Sequence, residues 1–509
     1  MIIKEITEIL KTFDKSELKK FERFVSSNYF NTNERVYKLL RVLKKFHPSF
    51  SNRKLTNHYI FRKIYGDRKF NDITLRYLLS EFLKLTKQFI SISATQKNKH
   101  EMSKIFIEEM IFRKQFSQVR SNIVKLEKEV NKNFIIGTNY LHNKMDVSLL
   151  WHMYSFFSST GFKQIHKNVE GGEFEVYNTI IDLCHIYQNL IAIKNSHNVE
   201  YEDNLLFAFI RNFDYKGMLD SVEKLKTDDK QREKLLNVLK IYLCFMITFT
   251  DEKEEIYFEK MKALVFRFQD IFKTEELRDI HTMLTNCCRF KARAIDNEKY
   301  LRYSFELIQN ALSKNLYLSL GQYMPFTTYI LILNNALALK EINWTEDFVN
   351  KYIKEIAPEI REDVHSYSAA EILFQKKQFE GALEQLSKVK FDFEMIKPNV
   401  RSLTLMTYYE LELIEAAYSL IDSFAHFINS NKKITPLQKE ADSNFISFVK
   451  TLLKHKGKKV NLFKLVKEIE RCSNLSRREW LLEKAEEVSE LQARYFQNKG
   501  QRKRTSYRL

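Results

Sequence analysis

Glycine (10) and proline (5) together supply only 15 of the chain's 509 residues. That is about 3%, where soluble proteins average roughly 12%. Folds built from many tight turns, such as sandwiches, barrels and propellers, draw heavily on both residues, so their scarcity disfavours all of them. It equally disfavours glycine-rich phosphate cradles. What remains is a chain of helices joined by short connections.

The rest of the composition narrows this picture. Hydrophobic residues make up 44% and charged residues 29%, the balance of a folded chain. Single cores stop growing beyond roughly 250–300 residues. A chain of 509 residues is therefore several domains or an elongated stack. The most apolar run, Ile241–Thr250, falls far short of the ~20 residues that cross a bilayer, so no membrane span is expected. The N-terminus, MIIKEITEILK, lacks the apolar centre of a secretory signal. Five scattered cysteines (Cys184, Cys244, Cys287, Cys288 and Cys472) read as reduced, buried thiols in a cytoplasmic protein.

The net charge of +18 is unevenly placed. Residues 1–100 carry +13, residues 451–509 carry +9, and the body between them −4. Two basic ends around a near-neutral body point to a polyanionic partner at the ends.

Apolar spacing resolves residues 1–92 into a basic helical module. One helix carries Leu18, Phe21 and Val25, and a second carries Val36, Leu39, Leu40 and Leu43 and closes at His47-Pro48. A third over Leu55–Tyr65 stops at Gly66, and a fourth starts at Asn71-Asp72. The polar stretch Ser91–His100 breaks the pattern and marks a boundary. Residues 101–450 read as a helical-repeat solenoid, with breaks near Gly137, Gly161, Gly171-Gly172, Gly217, Gly321, Pro358, Pro398 and Pro436. Residues 451–496 read as C-terminal capping helices, with Trp480 closing the stack, and 497–509 as a disordered basic tail containing Arg502-Lys503-Arg504.

An internal repeat underlies the solenoid. At an offset of 35 residues, Phe379 pairs with Ile414, Gly381 with Ala416, Ala382 with Ala417 and Leu386 with Ile421. A further step back reaches Trp344, with Asp347 at the alanine position. A small residue early in the second helix of a hairpin lets the two helices approach, and a large apolar residue three before it plugs the turn. A period near 34 with this layout is similar to the tetratricopeptide repeat. Lys377 and Glu412 lie near the turns, where glycine is usual.

Catalytic, cofactor and metal signatures are absent from the sequence. No phosphate loop, dinucleotide fingerprint, H-E-x-x-H, C-x-x-C or nucleophile elbow occurs. Gly171-Gly172 reads as an acidic flexible loop. Cys184-His185 and His281…Cys287-Cys288 read as core residues, because neighbours on a helix diverge by about 100°. The expectation is a non-enzymatic protein with no cofactor. Lys38, Arg41, Arg62, Lys63, Arg68, Lys69 and Arg76, interleaved with Phe61, Tyr65 and Phe70, are candidate nucleic-acid contacts.

The stretch Ser26–Asn33, followed by Lys69-Phe70-Asn71-Asp72, Leu78-Leu79-Ser80 and the late Glu479–Lys484, resembles an uncharacterised family of bacterial proteins. The resemblance implies a cytoplasmic, all-helical chain of about 500 residues with tetratricopeptide-like repeats. It implies no activity and no functional residues. The reading is thus an all-α protein, a basic bundle followed by an α-solenoid of degenerate hairpins. Its expected role is a protein-interaction scaffold or adaptor that holds a protein or peptide. The alternative is a nucleic-acid-associated regulatory protein acting through its basic N-terminal module.

Overall fold

The computed structural model describes residues 2–50, 55–132, 134–158, 165–196, 204–251, 254–294, 297–318, 323–390, 396–431, 434–456 and 463–487. The breaks expected at Gly161 and Gly321 and the basic tail 497–509 lie outside these residues. The fold is all-α. Among the described residues the only β feature is one isolated bridge, Ile136 to Phe272. No described helix is long and apolar enough to cross a membrane. The chain forms two compact units, one of Met1–Asn133 with Asn143–Gly172, the other of Phe134–His142 with Glu173–Leu509.

The first unit opens with five helices: α1 (Ile2–Lys11), α2 (Lys15–Val25), α3 (Glu34–Lys44), α4 (Asn57–Tyr65) and α5 (Asp72–Lys97). α1 is additional to the four the apolar spacing marks, and it buries Ile6 and Leu10. α5 is the spine, touched by each of the other four. Phe21 joins the layers, with ring centroids 5.6 Å from Phe13, 5.7 Å from Phe82 and 5.1 Å from Phe89. Side-chain caps fix the helix starts. Asp14, Asn33, Thr56 and Asn71 each accept from a backbone N–H in the first turn, satisfying a donor that the helix leaves orphaned. Gly66 closes α4 at φ 71°, as its position predicts.

Within the stretch Ser91–His100 the helix break falls late, at Asn98, because α5 runs on to Lys97. The Ser91 and Thr95 hydroxyls bond back to the carbonyls of Lys87 and Ser91, each at 3.0 Å, so these polar residues stay helical. Asn98 makes the real punctuation. Its N–H closes α5, and its side chain accepts from Glu101 N–H to open α6 (Lys99–Phe112). α7 (Phe116–Lys132) packs against α6. α8 (Thr138–Phe157) and α9 (Ile165–Ser196) each contribute to both units.

The acidic loop expected at Gly171-Gly172 is instead helical and lies inside α9. A Cβ on Gly171 would stand 2.9 Å from the Ser148 Cβ, closer than such carbons pack. Ser148 donates to the Lys167 carbonyl at 2.5 Å. This glycine therefore serves close helix approach rather than a turn.

The second unit continues through α10 (Leu205–Asn212), α11 (Tyr215–Lys224), α12 (Lys230–Thr250), α13 (Ile256–Phe268), α14 (Thr274–Ala294) and α15 (Asn297–Ser313). The apolar run Ile241–Thr250 is the second half of α12, buried on nearly every side. Then come α16 (Phe326–Ala338), α17 (Ile342–Tyr352), α18 (Pro358–Gln375), α19 (Phe379–Ser387), α20 (Lys397–Glu410), α21 (Ile414–Ser430), α22 (Pro436–His455) and α23 (Phe463–Arg471), with a last helix, α24, over residues 478–487. Pro358, Pro398 and Pro436 sit in the first turns of α18, α20 and α22, where a missing N–H costs nothing.

Candidate functional site

Three helix pairs, α16–α17, α18–α19 and α20–α21, are closed by the same turn. Lys340, Lys377 and Glu412 all adopt left-handed backbone, at φ 59°, 58° and 60°. The following residues, Glu341, Gln378 and Leu413, donate back to the carbonyls of Ala336, Leu373 and Tyr408 at 3.0, 2.9 and 2.9 Å. This is the six-to-one closure that usually carries glycine. Lys114 between α6 and α7, and Asn315 after α15, repeat it.

These turns can be set against the 35-residue offset expected from the sequence. Lys377 and Glu412 are 35 residues apart, which pairs Phe379 with Ile414 and Ala382 with Ala417. Both alanines are completely buried, and Phe379 and Ile414 pack on the same core. Gly381 and Ala416 lie one residue earlier and are half-buried; a Cβ on Gly381 would meet Leu373 at an ordinary 3.5 Å. The preceding step is 37 residues, so Ile342 rather than Trp344 stands opposite Phe379, and Thr345 rather than Asp347 takes the alanine position. Thr345 is fully buried, with its hydroxyl bonded to the Glu341 carbonyl at 2.7 Å. Trp344 stacks on Phe348 with centroids 5.5 Å apart.

The first helices of successive pairs touch one another, α16 to α18, α18 to α20 and α20 to α22. The first helices therefore form one continuous row, and that row is where buried polar chemistry collects. Glu371 of α18 is 1% exposed and hydrogen-bonded by Tyr367. Arg477 grips it with two nitrogens, at 2.5 and 3.2 Å, and also donates to the Tyr367 hydroxyl at 3.2 Å. Burial opposes charge on Arg477, but the Glu371 carboxylate prevails and holds it firmly protonated. Glu410 of α20 accepts from the Trp480 indole at 2.7 Å and pairs with Lys484 at 3.0 Å. Asp442 of α22 accepts from Gln438 at 2.9 Å and from Ser476 at 2.7 Å, and burial raises its pKa.

Trp480 is accordingly a core residue, edge-on to Tyr409 at 5.3 Å. Its segment does more than close the last pair: it reaches back across α22, α20 and α18. Nothing in the sequence couples Arg477 to Glu371, 106 residues away.

The seven candidate nucleic-acid contacts, Lys38, Arg41, Arg62, Lys63, Arg68, Lys69 and Arg76, are all exposed. α3 and α4 lie side by side and antiparallel. The Arg35 guanidinium stands over Tyr65 at 5.3 Å, and Phe46 meets Tyr59 at 5.8 Å. The turn after Gly66 folds back onto α4 through Phe70, which stacks on His58 at 4.0 Å. Arg62, Lys63, Arg68 and Lys69 thus share one neighbourhood, with Lys38 and Arg41 on the adjacent helix. Among the described residues Lys38, Arg41, Arg62, Arg68 and Lys69 have no carboxylate partner, whereas Arg76 pairs with Asp72 at 2.8 Å. Tyr29 and Tyr77, both highly exposed, are surface aromatics of this unit that the sequence alone does not flag.

A third polar group lies in the second unit. The hydroxyl of buried Tyr242 donates to Glu276, and His185 Nε2 lies 3.1 Å from the same oxygen. Burial disfavours charging His185, but Glu276, Asp279 and Asp182 outweigh it and raise its pKa. Neighbouring Cys184 is fully buried, its thiol pushed up by desolvation. His281 is pushed down to about 4 by burial. Cys244 and Cys288 are both pushed up to about 12, again by burial. All five cysteines are free. Among the described residues no group of His, Cys, Asp and Glu is placed to hold a metal ion.

No family model, curated protein or solved structure matches the chain. Its functional reading rests on the row of first helices and on the exposed basic face.

Proposed function

We propose that the chain is a non-enzymatic interaction scaffold, a stack of tetratricopeptide-like hairpins whose row of first helices engages a protein or peptide partner. The observation that carries this reading is the repetition of one turn at Lys340, Lys377 and Glu412, which sets α16, α18 and α20 in register. Stacked repeats present extended binding surfaces of this kind. The resemblance to bacterial helical proteins supports a bacterial, cytoplasmic setting. The test is capture with the immobilised full chain followed by crosslink mapping. Partner crosslinks at Lys376, Lys397 or Lys439, at the end of α18 and in α20 and α22, support the reading. Partners whose crosslinks all fall outside residues 326–455 overturn it.

A second reading is favoured by one observation, the exposed and carboxylate-free Lys38, Arg41, Arg62 and Arg68. In this reading the basic unit binds nucleic acid through the phosphate backbone. Each neutralised phosphate contributes about 0.9 to the slope of log affinity against log salt on duplex DNA. Replacing the four residues by alanine should therefore flatten the slope by about 3 to 4. Binding of the full chain to duplex DNA and RNA across salt checks this. Absence of binding at low salt, or a slope unchanged by the fourfold variant, removes it.

A further inference from the structure

The segment from Ser476 to α24 meets the row of first helices as a docked ligand would. Trp480 and Lys484 stand four residues apart on one face of α24, and Arg477 sits just before that helix in left-handed backbone at φ 57°. Each finds a prepared recess. Arg477 enters the site of Tyr367 and Glu371, while Trp480 and Lys484 converge on Glu410. Leu481 and Ala485 beside them are completely buried. Arginine and tryptophan anchors in desolvated pockets are the chemistry of interface hot spots. The fork of a guanidinium on a carboxylate is a recognition geometry more than a source of stability. Two of the contacts pair opposite charges, Arg477 on Glu371 and Lys484 on Glu410, while Asp442 accepts from the neutral Ser476 hydroxyl. Part of the C-terminal basic charge is thus matched within the molecule.

We infer that the face made by Tyr367, Glu371, Tyr409, Glu410 and Asp442 is a recognition site for a short helical segment of a partner protein with arginine, aromatic and lysine anchors. Such a segment carries an arginine in the turn just before the helix, then an aromatic and a lysine four residues apart along one face, and residues 476–487 of the chain fill the site in cis. A partner must compete with this internal ligand. The inference rests on the reading of the helix row as a binding face, and it specifies the chemistry of what binds.

The experiment uses the full chain and a fluorescein-labelled synthetic peptide of residues 473–490. Arg477→Ala with Trp480→Ala removes the cis anchors. Anisotropy titration should show at least tenfold tighter peptide binding to this variant than to the unaltered chain. Adding Glu371→Ala and Glu410→Ala should abolish the gain. A folded double variant that binds the peptide no better than the unaltered chain overturns the inference. Hydrogen exchange on the unaltered chain keeps the inference open to refutation should the variant not fold. Amides 478–487 should then exchange at least tenfold faster than the cores of α18 and α20, and equal protection makes the segment permanent core and overturns the inference. Crosslink mapping of captured partners tests the scaffold reading separately, so its failure and that of this inference are told apart.

Discussion

The two basic ends of the chain treat their charge in opposite ways. In the N-terminal bundle, Lys38, Arg41, Arg62 and Arg68 stand in solvent without carboxylate partners among the described residues, while the core beneath is mainly apolar, built around Phe21, and buries no charged side chain. Near the C-terminus, Arg477 and Lys484 are drawn inward onto Glu371 and Glu410. A formal charge total hides this difference. An exposed surplus is available to an outside polyanion. A buried, paired one fixes how the chain packs on itself. The turns differ in parallel: α4 of the bundle ends on glycine at φ 71° and ψ −136°, while the hairpins end on lysine or glutamate at φ near 60°.

The largest test of this contrast is Glu371→Ala. It strands Arg477 in a mostly buried site, and losing one partner of such a pair is expected to lower stability by about 3 kcal/mol. Alanine at Lys38 or Arg41 should cost less than about 0.5 kcal/mol. Urea denaturation of the variants checks both. Equal costs would erase the distinction between the two ends.

A smaller effect separates buried from exposed charge by pH. The folded pKa of His185 lies above its unfolded value near 6.5, so its contribution is fully present below that value and is lost as pH rises through the folded pKa. Stability should fall over that interval, and His185→Gln should remove the slope. Thermal unfolding from pH 5.5 to 8.5 reads it directly. A slope unchanged in the variant would assign it to other groups.

The smallest effect concerns the turns. Left-handed backbone costs a residue with a Cβ roughly 1–2 kcal/mol, partly offset by the extra freedom glycine gives the unfolded chain. Lys377→Gly and Glu412→Gly should each raise stability by about 0.5 kcal/mol. Gly66→Ala, in a backbone region that residues with a Cβ avoid, should lower it by about 1 kcal/mol. Paired denaturation curves distinguish the signs.

Local chemistry was legible in the sequence where one residue decides one feature. Asn71 starts α5, Gly66 ends α4, and the prolines open α18, α20 and α22. It was illegible where the decision lies elsewhere in the chain. Gly171 looks like a loop glycine until Ser148 is seen against it. Trp344 looks like the counterpart of Phe379 because the turn at Lys340 carries no glycine to mark its place. Ser91 and Thr95 look like breakers, yet their hydroxyls bond within their own helix. Of the candidate site, the buried alanines Ala382 and Ala417 were marked by their spacing. The acidic row was not, because Glu371, Glu410 and Asp442 resemble any other helical carboxylates until Arg477, Trp480 and Ser476 arrive from far along the chain.

The indole of Trp480, seated on Glu410 beside Lys484, also has a spectroscopic consequence. The chain holds three tryptophans, Trp151 in the first unit and Trp344 and Trp480 in the second. With Trp151 and Trp344 replaced by phenylalanine, the remaining emission reports from a single place. Its colour would follow the seating and departure of the terminal helix in real time, without a dye.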